Sequence, residues 1–158
     1  MITYLNGDAT EPVGNGRKII AHVTNDEGGW GAGFVLAIDK MSPEPKKMYQ
    51  SMYRYWTQSN KLLFLPLGTV NYAKVNNDTY VANMTAQHRT IRSVAKPVCY
   101  KSLEHCLKNV SEFARREGAT VHMPRIGCGL AGGDWRVVES IIDEVMYHED
   151  VFVYDLEK

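Results

Sequence analysis

Glycine is the residue whose placement in this 158-residue chain carries the clearest chemical consequence. Eight of its 13 glycines fall in two short segments: Gly28, Gly29, Gly31 and Gly33, then Gly127, Gly129, Gly132 and Gly133. Each segment follows an apolar run, Lys18–Thr24 or Ala119–Pro124, and opens a stretch of helical character. Such a junction sits at the carboxyl end of a strand, where open α/β sheets bind ligands. It also sits at a helix N-terminus, whose free N–H groups and dipole favour an anion. Glycine removes the side chain that would keep the backbone from a phosphate. One loop of this kind is adequately explained as a tight turn. Two in matched contexts point to a pair of backbone cradles that grip a diphosphate from opposite sides.

Familiar phosphate chemistries are excluded. Gly31-Ala32-Gly33 lacks the third glycine of a dinucleotide fingerprint, and no GxxxxGK[ST] occurs. No cysteine precedes an arginine by six positions, which removes the cysteine-phosphatase loop. The ligand clusters of metallophosphatases are missing, so neither a metal nor a cofactor is expected. Cys99, Cys106 and Cys128 form no CxxC and stand at no zinc spacing. His22 and Asp26, beside the first loop, are the side chains able to orient a water. An ordinary histidine pKa of about 6.5 suits that work at neutral pH. His22 reads equally well as a buried histidine satisfied by the backbone.

The elements that must position these groups follow from periodicity. Ile2–Asn6, Lys18–Thr24, Ala119–Pro124 and Val151–Tyr154 read as strands, and Leu62–Pro66 as a further short one. Thr69–Val75 and Thr79–Thr85 flank the turn residues Asn76-Asn77-Asp78, which predicts an antiparallel hairpin. Phe34–Met41 is a helix ended by Ser42-Pro43. A second helix starts near Pro45 with Met48, Met52, Tyr55 and Trp56 on one side. A third covers 97–117, its stripe formed by Cys99, Leu103, Cys106, Val110 and Phe113, with Pro97 in its first turn and Gly118 at its end. Asp134 caps a fourth, which bears Val138, Ile141, Ile142 and Val145. Strands alternating with helices predict one α/β domain over 1–158, with a mixed, mostly parallel central sheet between two helical layers.

Composition narrows the partners. Lys+Arg and Asp+Glu both number 18 and cancel, so a general nucleic-acid or membrane-surface role is disfavoured. No leader is visible at the N-terminus, and Leu62–Leu67 is far too short to span a bilayer. A cytoplasmic monomer acting on a small molecule is the expectation.

Three segments together resemble a known family. Ile20-Ala21-His22-Val23-Thr24-Asn25-Asp26, the Gly29–Gly33 loop, and Pro124-Arg125-Ile126-Gly127-Cys128-Gly129-Leu130-Ala131-Gly132-Gly133-Asp134-Trp135 are similar to the macrodomain, an ADP-ribose-binding module. Asn6-Gly7-Asp8-Ala9-Thr10 and Val153-Tyr154-Asp155-Leu156 resemble its first and last strand regions. The resemblance implies the three-layer α/β/α macrodomain fold and ADP-ribose as ligand. It implies that Asp8, with Ala9 beside it, receives the adenine amino group, and that Asn25 bonds the distal ribose. Trp30, Gly31, Ala32 and Gly33 would line that ribose and the phosphates. Ile126, Gly127, Cys128, Gly129, Leu130 and Ala131 would bring backbone N–H groups to the pyrophosphate, and Tyr154 would lie by the adenosine. His22, Asn25 and Asp26 are then the catalytic candidates.

The chain looks most like small members that process ADP-ribose 1″-phosphate, and the second loop also resembles the branch that removes ADP-ribose from glutamate. That branch uses a lysine adduct and an aspartate after the Gly-Leu pair. Here Ala131 holds the aspartate's position, and Met84-Thr85-Ala86-Gln87 offers no lysine. Three readings stay open: a phosphatase for ADP-ribose 1″-phosphate, a hydrolase of ADP-ribose esters, and a non-catalytic reader.

Overall fold

The computed structural model describes residues 1–90, 97–129 and 131–156. Six strands form one sheet: β1 (Ile2–Asn6), β2 (Lys18–Asn25), β3 (Val70–Lys74), β4 (Thr79–Gln87), β5 (Thr120–Met123) and β6 (Val151–Asp155). Their order is β1-β6-β5-β2-β4-β3, and every pairing is parallel except the β3–β4 hairpin. Four α-helices complete the fold: α1 (Val35–Met41), α2 (Glu44–Arg54), α3 (Tyr100–Glu117) and α4 (Trp135–Val145). The α/β class and the mixed, mostly parallel sheet are those expected.

Strand β2 is apolar on both sides because both sides are covered. Ile19 and Ala21 pack with Leu103, Leu107 and Val110 of α3 and with Val138 and Ile142 of α4. Ile20, one step out of phase, packs with Ile38 of α1, Tyr49 of α2, Leu65 and Val81. Each such large side chain contributes roughly 1.5–3 kcal/mol by leaving water.

Several boundaries differ from expectation for identifiable reasons. Leu62–Pro66 is a loop: only Leu65 is buried, and its N–H bonds Asp26 O at 2.9 Å, while Leu63 is 84% exposed. Pro66 has no N–H to extend a ladder. The third helix starts at Tyr100, not at Pro97. Residues 97–99 stay extended because they pair with the end of β4, through His88 N–H to Pro97 O and Cys99 N–H to Ala86 O. Cys99 therefore precedes the helix and leaves the stripe to Leu103, Cys106, Leu107 and Val110. In α2 the inward residues are Pro45 and Tyr49; Met48 and Tyr55 face solvent, and a single π-helical turn, Tyr55–Ser59, follows the helix.

Two histidines lie wholly within the fold, His22 on β2 and His122 on β5. His122 bonds Tyr154 Oη through Nδ1 and Thr120 Oγ1 through Nε2, both at 2.7 Å, and stacks on Phe152. Burial pushes both rings down to about 4, helped at His122 by the nearby Lys18 charge and opposed at His22 by a hydrogen bond to Asn83. The unfolded chain regains a histidine pKa of about 6.5, so it binds protons that the native state refuses. The stabilisation is complete above about pH 6.5 and is lost as pH falls through the folded value, on the order of 3 kcal/mol per ring. Urea midpoints should therefore fall steadily between about pH 6.5 and 4.5. His122→Gln should flatten part of that slope, and an unchanged slope would reject the assignment.

Candidate functional site

Parallel neighbours end at the same sheet edge, so β2 and β5 deliver both glycine loops to one place. The first loop leaves β2 and enters α1, and the second leaves β5 and enters α4. Between them lies a cleft of about 920 Å³, extended past the end of β1 by Gly7, Asp8 and Ala9 and past β6 by Tyr154 and Leu156. That volume lies in the upper part of the range for small-molecule sites, roughly 300–1,000 Å³.

The first loop is held from within. Asn25 Oδ1 accepts from Glu27 N–H at 3.0 Å and Gly29 N–H at 2.9 Å, and its Nδ2 donates to Gly29 O at 2.8 Å. Tyr49 reaches up from α2, donating its hydroxyl to Asn25 O at 2.6 Å and accepting from Gly28 N–H at 3.1 Å. Gly28 has φ +87°, and a Cβ there would stand 2.9 Å from the Tyr53 ring. Asn25 thus lines the cleft while its carboxamide braces the loop, with one of its two Nδ2 hydrogens used to do so. Beyond it, the backbone N–H groups of Gly31, Ala32, Gly33 and Phe34 have no acceptor among the described residues, and all four residues line the cleft.

The second loop folds on itself. Gly133 N–H bonds Gly127 O at 2.7 Å and Gly132 N–H bonds Gly129 O at 3.1 Å. A Cβ on Gly133 would lie 2.4 Å from Gly127 O, whereas one on Gly129 would meet nothing within 4 Å. Asp134 caps α4 by accepting from Arg136 N–H at 2.9 Å. Gly127, Gly129, Ile126 and Ala131 line the cleft; Cys128 does not, its thiol lying 3.3 Å from Ile126 O with its pKa raised by burial. Leu130 lies outside the described residues. The N–H groups of Gly127, Cys128 and Gly129 have no acceptor among the described residues.

Asp8 uses Oδ1 to hold Thr10, at 2.8 Å from its N–H and 2.7 Å from its hydroxyl, which leaves Oδ2 for the cleft. Tyr154 lines the same end, its hydroxyl fixed by His122 and by Val13 N–H at 3.0 Å. His22 forms part of the wall beneath Trp30, edge to face at 5.4 Å, and near Phe34 at 6.0 Å. Asp26 is not in the wall. Its carboxylate accepts from His88 Nδ1 at 2.8 Å and Arg89 N–H at 2.6 Å, tying the ends of β2 and β4 together. Of the two candidates His22 and Asp26, His22 lines the cleft and Asp26 does not. With its pKa at about 4 rather than near 6.5, the His22 ring is neutral throughout the neutral range.

Tyr49, Asn83 and the cleft residues Gln87 and Thr90 are not singled out by the sequence, and Arg125, also in the cleft, carries no role assigned from it. Tyr49 had a legible signal, because Pro45, Tyr49, Met52 and Trp56 follow steps of 4, 3 and 4, one face of a helix. Arg125 gave none. Its guanidinium sits over the Tyr4 and Trp135 rings at 5.2 and 5.3 Å and forms a two-pronged pair with Asp155, which no local spacing encodes.

Among the described residues no group of His, Cys, Asp and Glu is placed to hold a metal, and no helix is long and apolar enough to cross a membrane. The chain resembles a Bacteroides thetaiotaomicron protein of unknown function in three dimensions, with TM-score 0.89, 43% identity, and 99% and 98% of the two chains covered. In sequence it is 32% identical over 144 residues to mouse chromodomain-helicase-DNA-binding protein 1-like, covering 89% of this chain but 16% of that protein. The chain thus spans about one sixth of the length of that relative. It is 29% identical to the ADP-ribose 1″-phosphate phosphatase of Candida albicans, with 97% and 99% of the two chains covered. The Macro domain family model matches residues 21–142, from the centre of β2 into α4 and across both glycine loops, and the chain is a member of the macrodomain family.

Proposed function

We propose that this macrodomain binds ADP-ribose between its two glycine loops and releases inorganic phosphate from ADP-ribose 1″-phosphate. One observation carries the reading: two sets of backbone N–H groups without an acceptor among the described residues, Gly31–Phe34 and those of Gly127 and Gly129, border one cleft at the carboxyl ends of neighbouring parallel strands. Donors so placed match a diphosphate. The free oxygen of Asp8 suits an adenine amino group, and Tyr154 forms the wall beside it. The resemblance of the whole chain to a named ADP-ribose 1″-phosphate phosphatase supports the substrate class.

In the proposed reaction water attacks phosphorus, the bond from phosphorus to the ribose oxygen breaks, and phosphate and ADP-ribose leave. The N–H groups stabilise the charge that develops on the phosphoryl oxygens. His22, neutral and in the wall, accepts a hydrogen bond from the water or from a ribose hydroxyl, and one proton of the attacking water ends on the departing ribose oxygen. No covalent nucleophile is invoked, since Cys128 stands outside the wall with a raised pKa. Slow turnover is the expected consequence.

A phosphorus NMR time course with ADP-ribose 1″-phosphate tests this directly. Pyrophosphate shifts together with protein-dependent inorganic phosphate are expected. Shifts without phosphate would reject the phosphatase and favour an ester substrate or a reader, which O-acetyl-ADP-ribose then separates. Gly129→Val should weaken ADP-ribose binding by tenfold or more with little change in melting temperature, because its side chain enters open space in the cleft. Gly133→Ala should lower both, since its methyl group collides with Gly127 O. Unchanged affinity in Gly129→Val would place the ligand elsewhere. Finally, the affinity for ADP-ribose, whose diphosphate keeps its charge over this range, reports the free protein. With the His22 ring at about 4, it should stay level from about pH 6 to 8 and fall only toward pH 4. A break near pH 6.5 would assign the role to another group.

A further inference from the structure

His22, Asn83 and Asn71 occupy one transverse row of the sheet. His22 on β2 is registered with Asn83 on β4, and Asn83 with Asn71 on β3. All three are buried, at 2%, 0% and 5% exposure, on the face where the neighbouring positions are Ile20 and Val81. A row of polar side chains in an apolar layer is unfavourable unless its hydrogen bonds are made. Most of them are. Asn83 Nδ2 donates to Pro45 O at 3.0 Å and to Asn71 Oδ1 at 2.8 Å, and Asn83 Oδ1 lies 2.5 Å from His22 Nε2.

The orientation of the Asn83 carboxamide settles the proton on His22. A carboxamide can be turned end for end in a network of side chains, because each partner could turn with it. Pro45 O cannot turn: a main-chain carbonyl only accepts. It therefore requires the amino end of Asn83 on its side and leaves Oδ1 for His22. An oxygen acceptor demands that Nε2 carry the hydrogen. Nδ1 is then an unprotonated acceptor, itself buried and without a partner among the described residues, on a ring that lies against Trp30 and borders the cleft. A neutral ring is consistent with the strong burial.

We infer that Asn83, anchored by Pro45 O and Asn71, is a positioning residue that locks His22 as its Nε2–H tautomer, so that the buried, unpartnered Nδ1 is the acceptor left for a hydroxyl of the bound molecule. The tautomer follows from the protein alone, whereas the hydroxyl partner rests on the ADP-ribose reading. The hydroxyl is a ribose hydroxyl or the water that attacks. The row explains why polar residues persist where leucine would pack.

Long-range proton–nitrogen spectra of ¹⁵N-histidine-labelled protein test the assignment. Ligand-free protein should show His22 as a neutral ring protonated at Nε2 from about pH 6 to 8, the range in which a ring lowered to about 4 stays neutral. A ring protonated at Nδ1, or one exchanging between tautomers, overturns the lock. ADP-ribose should move the Nδ1 resonance upfield. Shifts at the loop amides with none at Nδ1 overturn the acceptor role. No shift anywhere rejects ADP-ribose as ligand and, with it, the hydroxyl partner, while the ligand-free spectrum still decides the lock. Asn83→Leu should mix the tautomers and weaken ADP-ribose binding about tenfold, the loss expected for one well-made hydrogen bond. Asn83→Asp keeps an acceptor beside Nε2 but adds a charge, so the ring should become titratable near neutral pH, a response that a packing role alone does not produce.

Discussion

Parallel pairing of β2 with β4 on one side and β5 on the other is the interaction on which the rest depends. It buries β2 on both faces, which is why the run from Lys18 to Asn25 carries so little exposed surface. It also forces every strand that leaves the centre of the sheet to leave at one edge. Two loops distant in sequence, around Gly31 and Gly129, therefore meet across a cleft without any direct hydrogen bond between their described residues. The antiparallel β3–β4 hairpin at the border adds the register that sets Asn71 beside Asn83. Fold and site are consequences of one pairing scheme.

The loops then divide their labour. Asn25, Tyr49 and Asp26 spend their hydrogen bonds on the protein itself: the loop, its anchor on α2, and the join between the ends of β2 and β4. This internal bonding fixes the backbone so that the next N–H groups face outward with no acceptor. Donors held in place before a ligand arrives need not be ordered on binding. An asparagine that resembles a ribose ligand in sequence is, in this geometry, also part of the scaffold that aims the backbone.

How far the sequence could be read follows from what it encodes locally. Strand runs, the hairpin, the Asp134 cap and both glycine loops are legible because each is specified by neighbours in the chain. The misread elements are those decided by distant partners. Leu62–Pro66 has the composition of a strand, but the sheet offers it no ladder. Cys99 fits a helical stripe, yet its N–H is taken by Ala86. For Asp26 the sequence supplies a carboxylate beside the first glycine loop but not its partners, His88 and Arg89, over sixty residues on, which bond both of its oxygens. For His22 the sequence supplies the residue but not its surroundings, and burial changes its ionisation more than its identity reveals.

Those surroundings bear on how an anion is held. The chain has equal numbers of acidic and basic residues, and the arginine in the cleft wall, Arg125, is neutralised by Asp155. Attraction for a diphosphate therefore rests on main-chain dipoles rather than on a free cation among the described residues. Dipoles of this kind are directional: they favour phosphate oxygens at particular positions instead of raising the potential of the whole cleft. A protonated histidine in the floor would replace that positional selectivity with a diffuse charge, binding ground state and transition state alike. Burial keeps the ring neutral and the polar row defines its acceptor, so the same hydrogen-bond logic governs the cleft from the glycine loops to its floor.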